Sequence, residues 1–177
     1  MRWDLAEVNT TEDGIGIHTL DLSNNDQIGL RLIRDRRAIN VLQQIKGGSG
    51  FKRLTMQQLM SASVIGLITM PKSAATAFIE GGRAAESLWL TANHLNIQLH
   101  PLNVPLIFFY KNTVAKQVFI PEDEKAILSQ LEHNFNLLFE NSEEEQAIFM
   151  FRLFKASPSP ERTIRKSTSK IFSIGRA

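Results

Sequence analysis

The hydrophobic pattern changes period several times along the chain, and each change marks an element. Residues 14–20, Gly-Ile-Gly-Ile-His-Thr-Leu, alternate and are β-branched, which predicts a short strand, and Ser23-Asn24-Asn25-Asp26 then offers a helix cap. From Gln27 to Ile45 the apolar residues Ile28, Leu32, Ile39, Leu42 and Ile45 return at three-, four- and seven-residue steps. Arg34, Asp35, Arg36 and Arg37 take the other face, so the spacing predicts one amphipathic helix. Gly47-Gly48-Ser49-Gly50 ends it as a flexible C-cap; no Gly-Lys-Ser/Thr follows that would make it a phosphate loop.

Thr55 to Met60 reads as helix, and Ser63 to Met70 as a buried strand bounded by Pro71. Ser73 can cap a helix running from Ala74 through Leu95. Within it, Gly81 and Gly82 each cost about 1 kcal/mol relative to alanine, so the pair either splits the helix or admits a close approach by another group. Val104 to Tyr110, interrupted by Pro105, fits a strand or a buried connection equally well. Pro121 followed by Glu122, Asp123 and Glu124 starts a helix whose inward face is Ile127, Leu131, Phe135 and Leu138, ending by Glu140. Glu143-Glu144-Glu145 is a solvated turn, 147–154 a buried strand, and Ser157-Pro158-Ser159-Pro160 cannot continue it.

Length and composition narrow the class. A chain of 177 residues with 43% apolar content can bury one substantial core, so one domain is expected, complete or the C-terminal part of a larger one, with a basic tail over 155–177. The absence of cysteine excludes thiolate metal sites, disulfides and cysteine nucleophiles and fits a cytoplasmic protein. No apolar run approaches the roughly 20 residues that span a bilayer, so no membrane partner is expected. The net charge of +2 hides an asymmetry: from Arg152 onward seven basic residues face one acid, so a net of about +6 follows about −4 upstream. Such a tail serves an anionic cofactor, solubility or nucleic acid. The last is the weakest reading, because no RNA-binding aromatic pattern or DNA-reading helix accompanies the charge.

Hydrolytic and zinc chemistry find little support. His18, His94, His100 and His133 lie on separate predicted elements, no His-Glu-x-x-His occurs, and no serine sits in Gly-x-Ser-x-Gly. His94 could reach a cofactor or serve as a hydrogen-bonded core or interface histidine.

Gly81-Gly82-Arg83-Ala84-Ala85-Glu86-Ser87-Leu88-Trp89-Leu90-Thr91-Ala92-Asn93-His94, closing at Pro101, resembles the central helix and flavin-facing turn of nitroreductase-like flavoproteins. The apolar run Phe149 to Phe154, the proline-containing loop and the basic residues Arg162, Arg165 and Lys166 follow in the order in which members of that family close. The resemblance covers roughly residues 55–172. It implies an α+β fold with a nitroreductase-like sheet flanked by helices, and a homodimer with the central helix in its core. The implied activity is FMN-dependent transfer of two electrons from NAD(P)H to a small-molecule acceptor. In such enzymes the isoalloxazine carries the redox chemistry and the protein supplies slot, orientation and electrostatics. By the same resemblance Pro101, Leu102 and Asn103 contact the ring through their backbone, with Val104 where glycine often stands, and Arg165 and Lys166 hold the phosphate.

Two departures qualify what the resemblance implies. The arginine-rich opening of the family, of the Arg-Arg-Ser-x-Arg kind, is missing, and Arg34-Asp35-Arg36-Arg37 does not replace it. Asp13-Gly14-Ile15 leading to Thr19-Leu20, with Glu80-Gly81-Gly82-Arg83-Ala84, is similar to the nitroreductase-like region of large bacterial proteins that begin with a ThiF-like adenylating domain. The competing expectation is a dimerisation or regulatory module that keeps the fold without flavin.

Overall fold

The computed structural model describes residues 15–20, 22–44, 49–72, 75–113, 120–157 and 166. It divides into two units, one reaching to Thr55 and the other from Met56 to Ser157. Among the described residues it is a mixed α+β structure of six α-helices and one three-stranded antiparallel sheet.

In the first unit the expected strand over 14–20 is instead a single 3-10 turn, Ile17–Leu20, closed by Thr19 donating through both its amide and its hydroxyl to the Gly16 carbonyl. The expected single helix over 27–45 is two: α1, Asn24–Leu32, and α2, Arg36–Gln44. A local side-chain bond accounts for the break. The Asp35 carboxylate accepts the Arg37 amide at 2.8 Å and the Asp35 carbonyl accepts Ile39, so Asp35 caps a new helix in the middle of an uninterrupted periodicity. Ser23 caps α1, accepting from the Asp26 amide, and its hydroxyl donates to the Asp26 carboxylate at 2.6 Å. That bond and Arg53 hold this carboxyl below the usual carboxylate range. Ile45, Gly47 and Gly48 lie outside the described residues. Ser49 and Gly50 open α3, Ser49–Met60, so the helix expected from Thr55 begins a turn and a half earlier.

In the second unit β1, Val64–Pro71, and β2, Gln98–Pro101, both pair antiparallel with β3, Glu145–Phe154, which lies between them. The outer strands therefore run parallel to each other, and α4, Ala77–His94, crosses between them as parallel strands require. Ser73 and Ala74, the expected start of this helix, lie outside the described residues. Helix α4 is continuous through Gly81-Gly82 and turns Ala77, Gly81, Ala85 and Ala92 inward. On that side Ala92, Leu99 and Phe151 form a buried cluster, with Ile68, Leu88, Ile97, Phe149 and Leu153 packed against it. A Cβ at Gly81 would stand 2.5 Å from Ile148 Cγ2, so the first glycine marks the close approach of helix to sheet.

The opposite sheet face carries α5, Val104–Thr113, and α6, Glu122–Leu138. Here Leu106, Phe109 and Met150 are buried against Leu67, Phe135 and Phe139, and Phe135 lies 4.7 to 5.4 Å from its two ring neighbours, Phe139 and Phe109. The stretch Val104–Tyr110 is thus helical. Its residues are apolar all round, which erases the periodicity by which a helix is recognised, and Pro105 sits in the first turn, where a missing N–H costs nothing. Pro121 precedes α6 as expected, and β3 begins at Glu145, within what reads as a solvated acidic turn.

Strand β3 departs from simple alternation between its pairings Ile68 with Phe149 and Thr69 with Ala147. Ile148 is the extra residue. The bulge lets Ile148 meet α4 while its neighbour Phe149 packs in the α4-side cluster, and it puts Ala147 in the cluster with Met150 on the other face.

Candidate functional site

The turn that leaves α4 is built by its own backbone. Leu95 is the C-cap, Asn96 has φ 55°, its amide donates to the Asn93 carbonyl, and the Ile97 amide donates to the Ala92 carbonyl at 2.8 Å. Asparagine tolerates the left-handed conformation that this closure needs, and Ile97 drops back onto the cluster containing Ala92. The chain then enters β2. At its end Leu102 donates its amide to the Met150 carbonyl at 2.7 Å, while the Met150 amide donates to Asn103 Oδ1 at 2.9 Å. Asn103 thus extends the ladder with its side chain and starts α5 with its carbonyl, which accepts Ile107.

Pro101, Leu102 and Asn103 therefore form a fixed turn, and the three differ in what they offer. Pro101 has no N–H, and Leu102 has committed its own to Met150. Asn103 lines an apolar groove of about 520 Å³ together with Phe78, Leu106, Ile107, Tyr110, Lys111 and the start of β3. That volume lies within the ~300–1,000 Å³ of small-molecule sites. Phe78 and Tyr110 meet edge to face at 5.9 Å as one wall, and Lys111 is the only ionisable amine among the lining residues. Arg165 lies outside the described residues. Lys166 is exposed.

A second polar recess, about 250 Å³, adjoins the groove and shares Leu106, Tyr110, Gln146 and Ala147 with it. It adds Lys72, Glu132, Asn136, Asn141 and Glu145. Burial pushes the Glu132 carboxyl above the usual carboxylate range, against the opposing pull of Lys72. Glu145 is held low by the Ser142 amide and the Thr69 hydroxyl.

At the far end of the sheet Arg152 faces His100 across β3 and β2. Its Nη1 donates to the Gln58 carbonyl at 2.6 Å and to Ser61 Oγ at 2.7 Å, and its guanidinium lies 4.4 Å from the centroid of the Phe154 ring. Burial lowers the pKa of both residues, and the charge of Arg152 lowers that of His100 further. His100 Nδ1 and Arg152 Nε are buried without a partner among the described residues. This arrangement docks the last turn of α3 onto β3. His94 ends α4, exposed, where an imidazole suits the C-terminal helix dipole. No group of three or more His, Asp or Glu side chains that could hold a metal occurs among the described residues. Nor is any helix among them long and apolar enough to cross a membrane.

The groove walls, the His100–Arg152 pair and the Lys72–Glu132 recess carry no signal at the level of sequence spacing. Each is assembled from residues on different elements, and within its own element Glu132 or Lys111 reads as an ordinary solvated charge.

Comparison with known proteins adds one match. An uncharacterized protein of Mycobacterium tuberculosis (strain CDC 1551 / Oshkosh) is 23% identical over 145 residues, which is 82% of this chain and 20% of that protein. The chain thus spans about a fifth of the length of the curated relative it matches. No family model matches the chain. No solved structure matches it either.

Proposed function

We propose that this chain is a nitroreductase-like portion of a larger polypeptide and acts as an FMN-dependent oxidoreductase, passing two electrons from NAD(P)H to a small-molecule acceptor in the cytoplasm. The observation that carries the reading is the groove beside Asn103. It is walled by Phe78, Leu106, Ile107 and Tyr110, opens next to a hydrogen-bonded turn, and has the size of a small-molecule site. The chemistry supplied by bound FMN is hydride acceptance at the ring and onward transfer to an acceptor stacked in the same slot.

The residues of this chain would bind and orient. The aromatic and aliphatic walls exclude water from one face of a flat ring, and Asn103, immobilised by Met150, presents its carboxamide NH2 group to the groove. Lys111 draws negative charge to the groove mouth. Arg165 and Lys166 would hold the phosphate, a guanidinium offering paired donors and an ammonium a point charge. The length of the mycobacterial relative supports a larger protein, for which a ThiF-like fusion is our specific proposal.

One observation favours the second reading, a dimerisation or regulatory module without flavin. Two of the three turn positions, Pro101 and Leu102, have no amide to give a ring. Titration with FMN, followed by visible absorbance and by quenching of flavin fluorescence, decides between the two. The oxidoreductase reading expects saturable binding by the chain, or by a longer form that restores the arginine-rich opening, and weaker binding after Arg165→Ala with Lys166→Ala. A chain and a longer form that both stay colourless at saturating FMN establish the module instead.

A further inference from the structure

The polar recess between α5, α6 and the start of β3 is separate from the flavin reading. Several of its polar groups are already engaged. Glu145 accepts from Thr69 at 3.1 Å and from Ser142 at 3.1 and 3.2 Å, Thr113 donates to the Phe109 carbonyl, and Gln146 donates to the Ala147 carbonyl. Asn141 Nδ2 donates to Asn136 Oδ1 at 3.2 Å, which fixes the Asn141 carboxamide and leaves its Oδ1 buried without a donor.

Glu132 and Lys72 line the same recess, close enough for the lysine charge to act on the carboxyl, yet they form no salt bridge within 4.0 Å. Two acceptors, Glu132 and Asn141 Oδ1, and one ammonium, Lys72, thus line one recess with none of the three satisfied by another. A buried acceptor without a donor costs about 1–3 kcal/mol, so the arrangement favours a bound donor. The recess is smaller than the ~300–1,000 Å³ of sites for drug-sized ligands.

We infer that this recess binds a small zwitterion of α-amino-acid size, its ammonium donating to Glu132 and Asn141 Oδ1 and its carboxylate accepting from Lys72. A ligand carrying a single charge satisfies only one end. An anion alone meets the Glu132 carboxylate, and a cation alone meets Lys72.

The test is an NMR titration of the full chain, following the amide signals of Asn136, Asn141 and Gln146, with L-alanine as probe and propionate and propylamine as single-charge controls. The expected result is a saturable shift with L-alanine and binding weaker by about tenfold for each control, the loss of one charged hydrogen bond. Glu132→Gln and Lys72→Gln should each weaken L-alanine by a similar factor. The glutamine variant is expected to fold, because burial already favours the uncharged form at this position. No saturable shift with L-alanine, equal binding of either control, or unchanged binding by both variants would overturn the assignment.

Discussion

Gly81 and Gly82 are adjacent in one helix and identical in propensity, yet their surroundings predict opposite responses to the same substitution. An added Cβ at Gly81 meets the stem of Ile148, with Cγ2 at 2.5 Å and Cβ and Cγ1 at 2.9 Å, while at Gly82 nothing lies within 4 Å. Gly82→Ala should therefore stabilise the protein by about 1 kcal/mol through helix propensity. In Gly81→Ala the overpacking, about 1–3 kcal/mol, opposes that gain and should leave the variant no more stable than the parent. Urea denaturation of both variants checks this, and Ile148→Ala in the Gly81→Ala background should recover stability if the clash is the cause. His100 offers a test at the same scale. Its folded pKa lies below its ordinary value of about 6.5, so the unfolded chain takes up the proton first as pH falls. The stability its neutral form contributes is present above that value and is lost as pH drops through the folded pKa. Thermal melts between neutral and mildly acidic pH should show this decline, and His100→Gln should flatten it; an unchanged slope would mean that another group carries it.

Arg152 does its work between elements. A helix leaves its last carbonyls without intrahelical partners, and Arg152 on β3 reaches back to the Gln58 carbonyl in the final turn of α3 and to Ser61 just beyond it. Charged hydrogen bonds of this kind contribute about 1.5–3 kcal/mol when buried. The site is only partly buried, so Arg152→Met should cost less, on the order of 1–2 kcal/mol. The loss should be local. Hydrogen exchange at Leu59, Met60 and Ser61 should accelerate more than exchange in β3, whereas uniform acceleration across the second unit would point to a general loss of packing. The bulge at Ile148 acts at the same scale, since a single extra residue reassigns which side chains of β3 face α4 and which face α5 and α6.

For the second unit as a whole, the imbalance of α4 is the dominant feature. Its small residues meet the sheet, while Ile79 and Leu90, 66% and 63% exposed, and the half-turned Phe78 and Trp89 lie away from it. Among the described residues no large side chain is fully buried. An apolar face of this kind is what a homodimer through α4 would cover, as the proposed function requires. Light scattering at micromolar concentration should give twice the chain mass, and Leu90→Glu should return the monomer with its helical circular dichroism retained. A monomeric parent would remove the dimer from the proposal.

The sequence by itself determined those elements in which one local rule dominates. The acidic start behind Pro121, the apolar run of β3 and the Pro71 boundary of β1 were all legible, because capping, alternation and the missing proline N–H act within a few residues. The choice between a split and a continuous α4 needed the sheet, since only Ile148, far along the chain, gives Gly81 a reason to be bare. Val104–Thr113 was ambiguous because a helix apolar on every side has no period to read, and its helical state follows from burying Leu106 and Phe109 against Met150. The periodicity over 27–45 predicted one helix, whereas the Asp35 cap makes it two. Of the expected contact residues, the Pro101–Asn103 turn could be located from the helix end before it. That Leu102 spends its amide on Met150 and Asn103 lines a groove depends on β3 lying beside β2, and strand pairing between segments almost fifty residues apart is a property of the folded chain alone.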